Sequence, residues 1–191
     1  MNIEYPKLRN ARCSVDTVHF VTMKTLVLVR HSKAASMATS DEERPLTEKG
    51  QAMAKNLASQ LKAEGLKVDL MLVSPAKRAR ETGQYLAKAT KPSSIAINKT
   101  IYAPRNGVGS IIDMLHDVDE EYTSVMVVGH EPTLSMVGYA LSADRSNPLT
   151  QDIAFGMSTA TAIIMSYDGA WCDLNEQMAT IKALPHGVVE K

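Results

Sequence analysis

Cysteine is nearly missing from this chain: Cys13 and Cys172 are its only two. They lie far apart with no second cysteine near either, so neither a disulfide framework nor a zinc cluster is signalled, and a reduced cytoplasm is the simplest compartment. Long apolar runs are missing too. No stretch approaches 18 uninterrupted apolar residues, which argues against a transmembrane helix. Residues 1–22, with Arg9, Arg12, Asp16 and His19, lack the apolar core of a secretory signal. Neither sign of charge is in excess, 21 basic side chains facing 21 acidic ones. That balance removes the footprint of a general nucleic-acid binder while leaving room for a local pocket that takes a small anion. No Gly-x-Gly-x-x-Gly turn follows a strand, no internal repeat occurs, and no His, Cys, Asp or Glu set has metal-ligand spacing, so no cofactor or metal is expected. The acidic run 117–121 reads as a solvated connection rather than a cation site.

What is present is an ordinary globular mixture, 45% hydrophobic and 22% charged, long enough for one domain with a sizeable core. Short apolar runs at 26–29, 69–73 and 125–128 read as strands buried on both faces, with a weaker strand at 95–97. Helices fall between them. Thr47 caps one that runs to about Glu64, with Met53, Leu57 and Leu61 on its apolar face and Gly65 as its stop. Pro75 opens a second helix over 76–89, a third covers 110–116, and Pro132 opens a fourth carrying Leu134, Val137 and Leu141. Residues 146–152 read as a polar connection. A strand at 159–165, a turn at Asp168-Gly169 and a partner strand at 178–182 are expected to form a hairpin on the sheet edge. The alternation predicts an α/β fold with a mostly parallel central sheet and an antiparallel edge. The expected organisation is an N-terminal extension over 1–22, a single domain over 23–184 and a tail over 185–191.

The chemistry gathers where the buried strands end. Arg30-His31 closes the first strand, and two large polar groups there are poor packing choices but well placed for a ligand, because open α/β sheets bind at the carboxyl ends of their strands. A guanidinium offers a planar fork of donors to phosphate oxygens, and a neutral imidazole offers a nitrogen that can attack phosphorus. Arg78 falls in the first turn of the helix after the second strand, beside amide donors that favour anions. His130 repeats the pattern after the strand at 125–128, with Gly129 permitting a tight turn. His31 and His130 are expected to face one pocket, while His19, His116 and His186 read as structural.

Four segments, taken in order, carry a resemblance. They are Arg30-His31-Ser32-Lys33-Ala34, then Arg44-Pro45-Leu46-Thr47 with Gly50, then Ser74-Pro75 with Arg78-Ala79 and Thr82, then Val128-Gly129-His130-Glu131-Pro132. From residue 23 to about 166 the chain resembles the histidine phosphatase superfamily, and within it the SixA-like phosphohistidine phosphatases. The resemblance implies a three-layer α/β/α sandwich of the phosphoglycerate mutase-like kind. It also implies attack by His31 on phosphorus to give a phosphohistidine that water hydrolyses, with Arg30, Arg78 and His130 holding the equatorial oxygens and Arg44 as a further phosphate ligand. Two nearby cations should disfavour protonation of His31. With two arginines and two histidines supplying the positive charge, metal-independent turnover is expected.

One departure bears on the substrate. Larger superfamily members carry a carboxylic acid that protonates the leaving oxygen, commonly in the loop corresponding to 101–109, and that interval has no carboxylate here. An alkoxide needs such a proton far more than the imidazole of a phosphoramidate does. The expected substrate is therefore a phosphohistidine-bearing protein. Small phosphate esters are the alternative, with Asp113 as the acid if the loop is displaced by a turn. A catalytically idle phosphopeptide-binding module is the rival from another class.

Overall fold

The computed structural model describes residues 22–102 and 107–189. Eight residues of strand β1 (Met23–Arg30) run through the middle of a six-stranded sheet of order β3-β2-β4-β1-β5-β6. β2 (Leu70–Val73), β3 (Ser94–Ile97) and β4 (Ser124–Gly129) are parallel to β1, whereas β5 (Ala162–Asp168) and β6 (Ala179–Ala183) complete an antiparallel edge. Because side chains alternate across a strand, Leu26, Leu28, Leu70, Leu72, Val125 and Val127 build one core. It lies with α3 (Val108–His116), α4 (Thr133–Leu141) and α5 (Pro148–Ile153). Val27, Val29, Met71, Val73, Met126 and Val128 build the other core against α1 (Glu48–Ala63) and α2 (Lys77–Thr90). The result is the expected three-layer α/β arrangement.

Several local expectations need correction. Residues 148–153 are helical rather than a plain connection: Asn147 caps Leu149 N–H at 2.9 Å, Pro148 starts the helix, and Thr150 and Ile153 are buried. β5 begins at Ala162, because Ala160 adopts a left-handed φ of 56° and donates its N–H to His31 O instead of to a strand partner. β5 and β6 do pair, but not through a two-residue turn. The connection holds a 3₁₀ turn, Trp171–Asp173, in which buried Trp171 donates its indole N–H to Tyr122 O at 2.7 Å. Gly129 takes no positive φ; a Cβ there would lie 2.5 Å from Ile101 Cγ2, so close packing and not turning freedom calls for glycine.

The expected N-terminal extension, including Cys13 and His19, lies outside the described residues apart from Thr22. Cys172 is disulfide-bonded. No disulfide framework is expected from the sequence, and a bonded Cys172 removes the cysteine argument for a reduced compartment. Among the described residues no helix is long and apolar enough to cross a membrane. The described part of the tail packs on the domain: Gly187 N–H donates to Ala160 O, and Val188 O accepts from the Asn56 side chain.

Candidate active site

The register between β1 and β4 sets Arg30 opposite Gly129, so the residues that follow, His31 and His130, leave the sheet side by side. Their rings are 5.0 Å apart and tilted by 60°. His31 N–H donates to Gly129 O, and Ser74 N–H, just beyond β2, donates to Val128 O. Three strand ends therefore meet at one edge, and the first turn of α2 carries Arg78 into it with its side chain 7% exposed.

His31 is held by hydrogen bonds that begin next door. Its Nδ1–H donates to Ser32 O at 2.7 Å, which leaves the Nε2 lone pair free of a proton and facing Arg78, whose Nε–H reaches it at 3.2 Å. Ser32 is fully buried, its N–H donating to Thr82 Oγ1 and its hydroxyl to Gly50 O at 2.6 Å. Thr47 N–H and hydroxyl both reach Lys33 O, while Thr47 Oγ1 caps Gly50 N–H. A Cβ on Gly50 would stand 2.0 Å from Lys33 O, so only glycine admits this approach. The Arg44-to-Gly50 motif thus grips the loop that aims His31.

Burial pushes the His31 imidazole down to about 4, with Arg78, Arg30 and Arg44 adding to the fall and the Ser32 carbonyl opposing it. The cations named from sequence act in the expected direction, but desolvation is the larger cause. His130 is pushed down to about 3, again by burial first and then by His31 and Arg78. Its Nε2 lies 2.7 Å from Ser74 Oγ, which also accepts Ala76 N–H at 3.3 Å. Either atom can donate in that contact; when the Ser74 hydroxyl does, a neutral His130 carries its own proton on Nδ1. Among the described residues, that Nδ1 and Arg30 Nε are buried side-chain nitrogens with no hydrogen-bond partner. Buried donors of this kind are costly unless something accepts from them. Arg30 itself is anchored through Nη1 to Met157 O.

The sequence reading overlooked Asp41. Its carboxylate accepts from Arg78 Nη2 at 2.9 Å, from Arg44 Nη1 at 2.8 Å and from the Tyr102 hydroxyl at 3.1 Å. Tyr102, also overlooked, stacks edge-on to His130 at 5.5 Å. Arg44 spends Nε on Ala35 O and Nη1 on Asp41, so its contacts are with the loop. Ser74 stands in the sequence only as part of the Ser74-Pro75 segment, with no role assigned to it, and nothing there marks Met157. Asp113 is an exposed residue of α3, and residues 103–106 of the acid-free interval 101–109 lie outside the described residues. Glu131 accepts from Ser135 N–H and hydroxyl and from Met157 N–H, fixing the far wall of a cleft of about 500 Å³ that also includes Arg30, Pro132 and Phe155. Among the described residues no three His, Cys, Asp or Glu side chains form a group able to hold a metal.

A family model for the histidine phosphatase superfamily (branch 1) matches residues 26–101. The phosphohistidine phosphatase SixA of Escherichia coli K12 is 32% identical over 117 residues, which is 60% of this chain and 70% of that protein. Among solved structures, SixA from Nakamurella multipartitia superposes with a TM-score of 0.78 at 28% identity, over 88% of this chain and 98% of that one. A protein histidine phosphatase SixA complexed with tungstate gives 0.71 at 25% identity, over 85% and 97%. The stretch matched by the family model contains Arg30, His31, Arg44 and Arg78, and the chain belongs to the histidine phosphatase superfamily.

Proposed function

We propose that this protein is a phosphatase that removes the phosphoryl group from phosphohistidine through a covalent intermediate on His31. The observation that carries the reading is a pair of buried nitrogens, Arg30 Nε and His130 Nδ1, that have no partner among the described residues and lie beside a neutral imidazole whose Nε2 lone pair already faces Arg78. A phosphoryl group would take up those donors. The tungstate held by a SixA neighbour, itself a tetrahedral oxyanion, supports this use of the site.

In the reaction, His31 Nε2 attacks phosphorus in line while Arg30, Arg78 and His130 Nδ1–H hold the equatorial oxygens. The phosphorus–nitrogen bond to His31 forms as the bond to the leaving group breaks, and the departing nitrogen keeps the electron pair. His31 Nδ1–H stays on Ser32 O, which steadies the ring as positive charge develops on it. Water then attacks phosphorus, the electron pair of the breaking bond returns to His31 Nε2, and both water protons depart on the phosphate.

Nitrogen-linked phosphate is favoured by the state of the carboxylates nearest the site. Asp41, held down to about 2 by Arg44 and Arg78, has no proton to give, and Glu131 accepts hydrogen bonds from Ser135 and Met157. An imidazole protonated on its other nitrogen leaves without enzyme help, whereas an alkoxide does not. The test compares a phosphohistidine peptide with aryl and alkyl phosphates. Turnover should fall in that order and vanish in His31→Ala. Alkyl phosphates turned over as fast as phosphohistidine would overturn the substrate assignment in favour of a general phosphomonoesterase.

A further inference from the structure

Around the two imidazoles the side chains close into a ring. His31 meets Arg78, Arg78 meets Asp41, Asp41 meets Tyr102, and Tyr102 packs edge-on to His130. Asp41 differs from the others in this ring. It is the one carboxylate of the five, its backbone carbonyl also accepts from Arg78 Nη1 at 2.6 Å, and its side chain is 56% exposed. Its charge therefore stands at the mouth of the site, in contact with both Arg78 and Arg44 and still facing solvent. Glu42 and Glu43 follow it on the same loop. The site thus pairs a cationic floor that suits a phosphoryl group with an acidic rim that meets whatever the phosphoryl group is attached to.

We propose that Asp41 is a specificity-determining residue that discriminates by the charge of the phosphoryl carrier, disfavouring carriers with a second anionic group and favouring neutral or cationic ones. The proposal rests on phosphoryl transfer at His31. A carboxylate or second phosphate on the carrier would approach the Asp41 carboxylate as a like charge, while both arginines it contacts are already engaged by it. An imidazolium or a neutral ring suffers no such repulsion. Replacing the carboxylate by an amide keeps the shape, keeps the backbone carbonyl that Arg78 uses, and leaves Arg44 and Arg78 without their counter-charge.

The experiment uses a matched pair of aryl phosphates, 4-carboxyphenyl phosphate and 4-carbamoylphenyl phosphate, which share a size and differ by one negative charge on the carrier. With the wild-type protein the carboxylated member should show the higher KM. In Asp41→Asn the ratio of the two KM values, carboxylated over carbamoyl, should drop about fivefold, the size of one unit charge acting across a wet opening, over and above any change that the lost counter-charge on Arg78 makes to both substrates alike. The difference should shrink as salt rises. Asp41→Glu, which keeps the charge, should restore the wild-type preference. An equal change on both substrates, or no change on either, would mean that Asp41 only braces Arg78 and would overturn the proposal. Neither substrate contains phosphohistidine, so a wild-type protein that ignores phosphohistidine but shows the Asp41-dependent preference would refute the substrate assignment alone.

Discussion

Ser74 Oγ lies 2.7 Å from His130 Nε2, and that contact decides which nitrogen of the imidazole is turned towards the anion site. Ser74→Ala would free the ring to take the other tautomer or to turn. The expected cost in kcat/KM is about five- to tenfold, the worth of one hydrogen bond of roughly 1 kcal/mol. Combined with His130→Ala, the serine change should add almost nothing, since it acts through that ring. Additive losses would show that Ser74 serves the rate by another route.

His31→Ala should abolish turnover together with acid-labile phosphoryl labelling of the protein. Arg78→Ala, which removes the donor facing His31 Nε2, should cost on the order of 10² or more in rate, as expected for a preorganised charge-stabilising group. A loss below about threefold would take Arg78 out of the phosphoryl clamp, and full turnover without His31 would end the covalent mechanism.

Acid should act late on catalysis and earlier on stability. In the folded protein His31 stays neutral down to about 4 and His130 down to about 3, against an ordinary 6.5. The acidic limb of single-turnover labelling should lie near 4. Between these values and 6.5 the unfolded chain binds protons that the folded chain does not, so stability rises with pH in that window and is lost as pH falls through it. Denaturant midpoints at pH 7, 6 and 5 should decline in that order. A labelling limb near 6.5 would mean that His31 titrates like an exposed imidazole.

Gly50→Ala should strain the loop that carries the nucleophile, because its new methyl would meet backbone, Lys33 O at 2.0 Å, and not a flexible side chain. Destabilisation of about 1–3 kcal/mol is expected, with a loss of kcat as Ser32 and His31 shift. Equilibrium unfolding and aryl phosphate kinetics on the same preparation would check both. Unchanged stability would show that the loop yields without cost.

Turnover should survive a chelator, the positive charge at the site being supplied by Arg30 and Arg78. Activity lost in chelator and restored by magnesium or zinc would show that the arginines do not suffice.

The sheet and the principal site groups were legible because they rest on patterns local in sequence: an apolar run, then a polar pair, then a helix start. Arg30, His31, Arg78 and His130 all follow that pattern. Asp41 and Tyr102 do not. They sit in loops, and their meeting depends on how residues 35–45 fold over the sheet edge, which no periodicity encodes. Arg44 stands out in sequence by its Arg-Pro-Leu-Thr motif, yet its side-chain hydrogen bonds go to Ala35 and Asp41. The capping Asn147 before Pro148 did signal the missed helix α5. Its brevity and polar flanks hid the burial of Thr150 and Ile153.

The separation of the two imidazoles, 5.0 Å, is close to the spacing of neighbouring strands. Both follow residues paired in one parallel register, Arg30 with Gly129. The distance between the rings is therefore inherited from the repeat of the peptide backbone, and a surface substitution can scarcely alter it. Asp41, Tyr102 and Phe155 stand on connections that share no such ruler. If the proposed phosphoryl site is the true one, a protein built this way can exchange the molecules it serves by altering its loops while the spacing of the two imidazoles stays constant.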